Sequence, residues 1–315
     1  MRGVSLRRGS LVATIVMAAI AASLFVSPAS AGTSTSSSWL SSCGSFGFFG
    51  SLDQLSGGST ARGETAREPA LGQTIESPGA QRGRGHGFRV TVPTYVHVVS
   101  LPDGTGNVSD RAIRDQIRVL NTTFAGQEGG NATGFSFALA GVTRTVNSDW
   151  YYASFGSDER AMKRALRQGG DNALNMYLTT AGPYLGWAYY PSQVNHNGSA
   201  YLDGVVVDWE SMLGTSTRYA GRYDQGETAT HEVGHWLNLA HTFEGGCNNW
   251  GDYVADTPPM LVPTNGCPAG KDTCSEPGLD PIHNYMDYSY DTCYTEFTAG
   301  QALRMQDAWL YYRAP

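Results

Sequence analysis

The 315-residue sequence is poor in lysine and in charge overall, and it contains a single long apolar run. Two of its 21 basic residues are lysines, Lys163 and Lys271, and charged residues make up 16% of the chain. Basic residues are outnumbered by 28 acidic ones, so the net charge at pH 7 is −7. This composition excludes a coiled coil and a basic nucleic-acid-binding protein, and we expect no nucleic-acid partner. The apolar content of 41% is sufficient for a large domain with its own core.

The single long apolar run lies at the N-terminus, where it has the pattern of an export signal. Three arginines, Arg2, Arg7 and Arg8, precede 16 apolar residues at positions 11–26, and Ala-Ser-Ala at 29–31 is typical of a cleavage site. The run is shorter than the ~20 residues of a membrane-spanning helix. We therefore favour a signal peptide, residues 1–31, over an N-terminal membrane anchor. The sequence predicts a secreted protein with no membrane association after cleavage.

Cysteine is scarce, and its placement is uneven. Four of the five cysteines fall in the C-terminal third: Cys247, Cys267, Cys274 and Cys293. In an oxidising compartment these four predict two disulfides, and the residues alone leave all three pairings open. The fifth, Cys43, lies in a segment rich in serine, glycine and arginine, residues 32–87, which we interpret as a pro-segment and linker.

From residue 88 onward, strand and helix patterns alternate. Alternating β-branched residues and short apolar runs predict strands over residues 88–99, 135–146, 174–178, 186–190 and 204–209. Helical spacing of apolar residues predicts helices over residues 110–124, capped by Ser109, over 158–168, and over 299–312, capped by Thr298. The alternation predicts an α/β sheet with helices packed on it, followed by an irregular, disulfide-stapled part that ends in a C-terminal helix.

Three histidines and a glutamate are concentrated between residues 231 and 241, in the sequence HEVGHWLNLAH. His231 and His235 are four residues apart, so on a helix they share a face and can reach one metal ion. Glu232 lies one step round that helix, where it can take a proton from a zinc-bound water. His241 can join as a third ligand if the helix ends near Asn238 and the chain turns back. Three protein ligands leave a position for water, which is the pattern of a catalytic zinc site.

This motif resembles the metzincin pattern HExxHxxGxxH, which is followed downstream by a turn that contains methionine. The candidate turn here is HNYMDY, residues 283–288. Together with GDYVADTP at 251–258 and HNYMDYSYDTC at 283–293, the motif resembles the pappalysin family of secreted zinc metalloproteases. The resemblance implies a metzincin-like catalytic domain over residues 88–315, of α/β (α+β) class. In this fold an upper twisted mixed sheet carries the active-site helix, and a smaller lower subdomain follows.

The resemblance also implies a role for individual residues. Zinc is bound by His231, His235 and His241, and Glu232 is the general base. Met286 forms a hydrophobic floor under the metal, and Tyr288 lies near the metal and assists in stabilising the oxyanion. The substrate lies extended along an edge strand, for which we expect residues 186–189. Where the family has glycine, this chain has Asn238, the next most tolerant residue for a positive φ.

Two further features follow from the resemblance. Among the three disulfide pairings, it implies Cys247–Cys274 and Cys267–Cys293. The oxygen-rich loop after the helix contains three candidate calcium ligands, Asp252, Asp256 and Thr257, and the resemblance implies Ca²⁺ near them. The alternative is an ordinary solvated acidic loop.

We predict a secreted, monomeric zinc endopeptidase that hydrolyses extracellular proteins or peptides and is made as a latent precursor. The latency hypothesis concerns Cys43, whose thiolate can occupy the open zinc position while the apolar residues around it dock in the cleft. The alternative is an incidental cysteine that is unpaired or that pairs between molecules. On residues alone, two other functions stay open. One is a zinc-binding adhesin or decoy without turnover, which has no need of Glu232, and the other is a hydrolase of non-peptide amides.

Overall fold

The computed structural model describes residues 87–194, 199–248 and 251–315. The predicted signal peptide, the predicted pro-segment up to residue 86 and Cys43 lie outside the described residues. The strands are β1 (Val90–Ser100), β2 (Phe135–Val146), β3 (Leu174–Thr179), β4 (Gly186–Ala188) and β5 (Val205–Asp208). The α-helices are α1 (Asp110–Phe124), α2 (Ser148–Tyr151), α3 (Ser157–Leu166), α4 (Pro191–Val194), α5 (Glu227–Trp236) and α6 (Ala299–Ala308).

The elements follow the sequence pattern most closely where local signals are strong. Helix α1 and strand β2 occupy the predicted residues, and Ser109 Oγ accepts a hydrogen bond from Ala112 N (3.2 Å) as an N-cap does. Helix α3 ends at Leu166, two residues before the predicted end, because Arg167 is already extended with ψ at 133°. Helices α2 and α4 have four residues each. Such short elements carry no periodic pattern, and the sequence did not predict them.

The five strands form one mixed sheet in the order β2-β1-β3-β5-β4. Strands β1, β2, β3 and β5 are parallel, whereas β4 runs antiparallel to β5 at one edge. Every residue of β3 and β5 is buried, as expected of parallel strands covered by helices on both faces. The short strand β4 is therefore the antiparallel edge of an otherwise parallel sheet.

Helices cover both faces of this sheet. On one face, Leu120 of α1 and Val233 of α5 share a core with Val96 of β1. On the other face, Met162 of α3 packs in a second cluster that includes Tyr177 and Trp187. Helix α5 lies against β4 and β5, so the sheet sets the position of the histidines relative to the edge strand.

Beyond α5 the chain is irregular until α6. Disulfides join Cys247 to Cys274 and Cys267 to Cys293, the pairing that the resemblance implied. Thr298 and Gln301 form a reciprocal capping box at the start of α6, and a π-helical turn, Trp309–Arg313, continues that helix to near the end of the chain. Within the described ranges, no helix combines the length and apolar composition needed to cross a membrane.

Candidate active site

The first two histidines of the motif lie one turn apart on α5. All ten residues of this helix are buried, because it lies between the sheet and the C-terminal part of the chain. The Nε2 atoms of His231 and His235 are 3.1 Å apart. The four-residue spacing in the sequence therefore brings the two Nε2 atoms close enough to bind one metal ion.

A sharp reversal after α5 brings the third histidine to the same place. Asn238 has φ at 75°, the positive value expected where the family has glycine, and Leu239 N donates to Gly234 O at 2.9 Å. His241 Nε2 then lies 3.1 Å from His235 Nε2. Two nitrogens bound to one tetrahedral zinc at ~2.0–2.1 Å stand about 3.3 Å apart, so the three imidazoles fit this ion.

The other ring nitrogens of the histidines are held by acceptors. Nδ1 of His231 donates to Tyr285 O at 2.6 Å, and Nδ1 of His235 donates to Leu239 O at 2.7 Å. A carbonyl oxygen can only accept, so in both rings the proton is on Nδ1 and the Nε2 lone pair is left for a metal. Nδ1 of His241 lies 3.6 Å from Glu244 Oε2. Outer partners of this kind orient metal-binding imidazoles.

Glu232 lies between the helix and the edge strand. Its side chain is buried, at 1% exposure, and Gly186 of β4 stands directly opposite. A Cβ on Gly186 would come within 2.7 Å of Glu232 Oε1. The absence of a side chain at position 186 therefore makes room for the carboxylate beside the histidines.

Met286 closes the site from below. It is fully buried, and its Sδ and Cε atoms lie against Gly234, on the turn of α5 between the two helical histidines. The turn that carries it is fixed, because Asn284 Oδ1 accepts from Met286 N at 3.0 Å and the Asn284 amide pairs twice with Gln301 of α6. Met286 O accepts from Thr242 N at 3.1 Å, which ties the floor to the segment that carries His241.

Tyr288 stands at the rim of the histidine cluster. Its ring centroid is 5.0 Å from that of His241 and 5.8 Å from that of His231. Phe243 stacks on His241 with ring centroids 4.7 Å apart, and its centroid is 4.9 Å from that of Tyr288. The structure thus places the tyrosine next to the histidines, in the region where the sequence expected it.

Residues 173–309 match the peptidase M43 family, described as pregnancy-associated plasma protein-A. Extracellular metalloprotease 1 of Coccidioides posadasii is 48% identical over 229 residues, which cover 71% of this chain and 79% of the relative. The chain belongs to the pappalysin family. Mature mirolysin of Tannerella forsythia, solved in complex with a cleaved peptide, superposes with a TM-score of 0.58 at 32% identity, covering 69% of this chain and 90% of that one. A promirolysin variant superposes with a TM-score of 0.61 at 30% identity, covering 74% and 85%.

As a pappalysin, the protein is a zinc metalloendopeptidase of metzincin fold that acts on proteins or peptides. The fold class and the enzyme class predicted from the sequence are confirmed, and the family implies a bound metal ion. The adhesin and decoy alternatives are not supported, because the relatives are named as metalloproteases.

An acidic pocket of this pappalysin adjoins the histidines, and the sequence analysis missed it. A pocket is lined by Glu227, His231 and Glu232 of α5 and by Asp287 and Asp291 of the segment that follows Met286. Glu227 and Asp291 are hydrogen-bonded to each other, and burial is the largest cause that raises the pKa of each carboxyl. Glu227 lies four residues before His231, so helical spacing could have revealed it. Asp291 comes from a distant loop and gave no such signal.

The three candidate calcium ligands of this pappalysin fall in two places. Asp252 and Thr257 line a depression of about 300 Å³, together with Glu276. Burial raises the pKa of Asp252 to about 7. Asp256 instead accepts hydrogen bonds from Thr298 Oγ1 at 2.7 Å and from Gly300 N at 2.8 Å, at the start of α6.

Proposed function

We propose that His231, His235 and His241 hold the catalytic zinc and that Glu232 is the general base. One observation carries the proposal: His235 Nε2 lies 3.1 Å from His231 Nε2 and 3.1 Å from His241 Nε2, next to a buried carboxylate. The acceptors on Nδ1 of His231 and His235 support it, because they leave those nitrogens in the form that binds a metal. A purely structural site has no need of the carboxylate.

Each residue then has a defined task in peptide hydrolysis. Zinc, when bound, acts as a Lewis acid that polarises the scissile carbonyl and lowers the pKa of water. Glu232 takes a proton from the attacking water and passes it to the leaving amine. Tyr288 offers a phenolic hydroxyl to the oxyanion that develops at the carbonyl. Met286 holds the floor against Gly234, so the histidines keep their positions during turnover.

The substrate is proposed to bind as an extra strand along β4. This strand pairs with β5 on one side only, and it runs beside Glu232, as the contact at Gly186 shows. Main-chain pairing with an extended peptide would bring a scissile bond past the carboxylate and the histidines. Such binding depends little on side chains, so the pockets must supply selectivity.

The acidic pocket is proposed to take a basic side chain next to the scissile bond. Its lining includes Glu227, Asp287 and Asp291, whose side chains are all largely buried. A guanidinium or ammonium group there would meet carboxylates that are otherwise costly to bury. Matched peptides that carry arginine, leucine or glutamate beside the bond test this, and equal kcat/KM for all three would contradict it.

Three variants test the roles of Glu232, His241 and Tyr288. Glu232→Ala should keep one zinc per chain but lose casein hydrolysis by ~10²–10⁴-fold, because the ligands remain and the base is gone. His241→Ala should instead lose zinc on dialysis. Tyr288→Phe should lower kcat with little change in KM, because the hydroxyl acts on the developing charge. Casein digestion at the parent rate by Glu232→Ala, or unchanged zinc content in His241→Ala, would contradict the assignment.

A calcium site is proposed at Asp252 and Thr257. Glu276 Oε2 is buried and receives no hydrogen bond from the described residues, and it lines the same depression. Buried carboxylate oxygens that lack donors are suited to Ca²⁺. Asp256 was expected as a ligand from the sequence, but its two oxygens accept bonds at the start of α6, so the proposal does not include it.

Thermal unfolding with and without CaCl₂ tests the calcium proposal. The parent should be stabilised by calcium, and Asp252→Asn should lose that response. Asp256→Asn is the matched control: it should lower Tm through loss of the α6 contacts but keep the response to calcium. A parent whose Tm does not change with calcium would contradict the site.

Secretion and maturation complete the proposal. A signal peptide over residues 1–31, a pro-segment over residues 32–87 and a monomeric catalytic domain over residues 88–315 are proposed from the sequence. Latency is proposed to come from the Cys43 thiolate at the open zinc position. Purified precursor should be latent and should become active when cut between about residues 55 and 87. Cys43→Ala precursor should be active without cleavage, and equal latency in this variant would contradict the switch.

A further inference from the structure

The C-terminal helical segment donates hydrogen bonds to the end of the metal-binding helix through two arginines. Arg313 donates from Nε and Nη2 to Trp236 O, at 3.1 and 2.8 Å. Arg304 Nε donates to Asn238 O at 2.8 Å. These two carbonyls lie at the reversal between His235 and His241. The last carbonyls of a helix have no partner within it, and here arginines from a distant part of the chain satisfy them.

The peptide group between Asn238 and Leu239 is held at both of its polar ends. Its carbonyl oxygen accepts from Arg304, and its N–H donates to Gly234 O at 2.9 Å. The next carbonyl, Leu239 O, accepts from Nδ1 of His235 at 2.7 Å. Rotation of this peptide would therefore disturb the support of the second histidine and redirect the segment that leads to the third.

The backbone conformation of Asn238 is sterically unfavourable for a residue that has a Cβ. Asn238 has φ at 75° and is fully buried. Such a conformation persists in a residue other than glycine only where the surrounding structure determines it. The hydrogen bond from Arg304 of α6 reaches the carbonyl of this residue from another helix.

We propose that Arg304 is a positioning residue for the third metal ligand. Its hydrogen bond to Asn238 O holds the reversal in the conformation that brings His241 to the other two histidines. The inference rests on the proposed zinc ligand set. Arg313 serves the neighbouring carbonyl, but it is fully buried and also forms a bidentate pair with Asp203 at 3.0 and 3.1 Å. Half-buried Arg304 is therefore the better residue to vary.

The experiment measures how fast the zinc-loaded enzyme releases its metal to an excess of a chromogenic chelator. Arg304→Met keeps the apolar stem and removes the donor, and it should release zinc about tenfold faster, within the 10–100-fold range typical of residues that support metal ligands. Arg304→Lys keeps the charge but lacks the planar Nε donor, and it should also release zinc faster. Arg118→Met is the control. Arg118 is exposed and pairs with Asp115 on α1, so its loss should leave the release rate unchanged.

A second substitution separates positioning from general stability. Glycine adopts positive φ without steric cost, so Asn238→Gly in the Arg304→Met background should restore slow release. A merely structural role would lower Tm without this rescue. Parent-like release by both Arg304 variants, or absence of rescue by Asn238→Gly, overturns the inference. If the parent enzyme retains no zinc, the proposed ligand set is contradicted and this inference with it. If the parent retains zinc and Arg304→Met releases it at the same rate as the parent, this inference alone is contradicted.

Discussion

Gly234→Ala should destabilise the enzyme, although alanine is the better helix former. Gly234 lies inside α5, between the two helical histidines. A Cβ at this position would lie far closer to Met286 Sδ than van der Waals contact allows, and 3.2 Å from Met286 Cε. Met286 is fully buried, so its side chain cannot move aside into solvent. The substitution therefore sets helix propensity against packing.

The two effects can be compared in magnitude. Replacing glycine by alanine inside a helix stabilises by ~1 kcal/mol. Forcing an extra methyl group into a well-packed core costs ~1–3 kcal/mol. Packing should win, with a net loss of about 1 kcal/mol in the free energy of unfolding, by the difference of those two ranges. Because the displaced sulfur lies under the histidines, zinc should also be released faster.

Urea unfolding of the zinc-loaded and metal-free enzyme measures the first effect, and a double variant measures its cause. Met286→Ala alone should cost ~2–5 kcal/mol through the cavity it leaves. In Gly234→Ala/Met286→Ala the new methyl group points into that cavity, so the double variant should be less destabilised than the sum of the singles by about 1 kcal/mol. Greater stability of Gly234→Ala than of the parent, or simple additivity in the double variant, would refute the packing argument.

Three other predictions follow from single contacts. Asp208 is fully buried with its pKa raised to about 7, chiefly by desolvation. The folded state therefore binds more protons than the unfolded state between about pH 4 and 7, and stability should fall as pH rises through that window, by up to ~4 kcal/mol. Asp208→Asn should reduce the difference between the free energies of unfolding measured in urea at pH 5 and at pH 8. An unchanged difference would count against this prediction. Gly186→Ala should lower kcat and keep zinc, because its Cβ would stand 2.7 Å from Glu232 Oε1; parent-like turnover would be inconsistent with the close approach. Non-reducing peptide mapping should recover Cys247–Cys274 and Cys267–Cys293, each worth ~2–4 kcal/mol, and a free thiol at any of these positions would disagree with the structure.

Local signals in the sequence were sufficient for much of the fold. The cap at Ser109, the apolar stripe of α1 and the alternation of β2 depend on neighbours a few residues away, and these elements begin and end where predicted. The end of α3 and the length of β4 were less accurate. Both depend on where the chain meets other elements, which periodicity does not encode.

The metal-binding motif was also readable from local spacing. His231 and His235 must share a helical face if the segment is a helix, and Asn238 is one of few residues that tolerate the positive φ that the turn requires. By contrast, the sequence treated Asp256 as a calcium ligand, whereas the structure uses both of its oxygens at the start of α6. Composition of a loop does not reveal which way its carboxylates point.

The sequence by itself indicated the chemistry of this enzyme, because the three proposed ligands and the proposed base lie within eleven residues and their spacing on a helix is a matter of local geometry. Only the tertiary structure decided what surrounds that chemistry. Met286 lies beneath Gly234, Asp291 meets Glu227 in the pocket, and Arg304 reaches Asn238 O across 66 positions of sequence. These contacts join segments that are distant along the chain. Their partners are selected by packing of the whole domain around the sheet, which no short window of sequence contains.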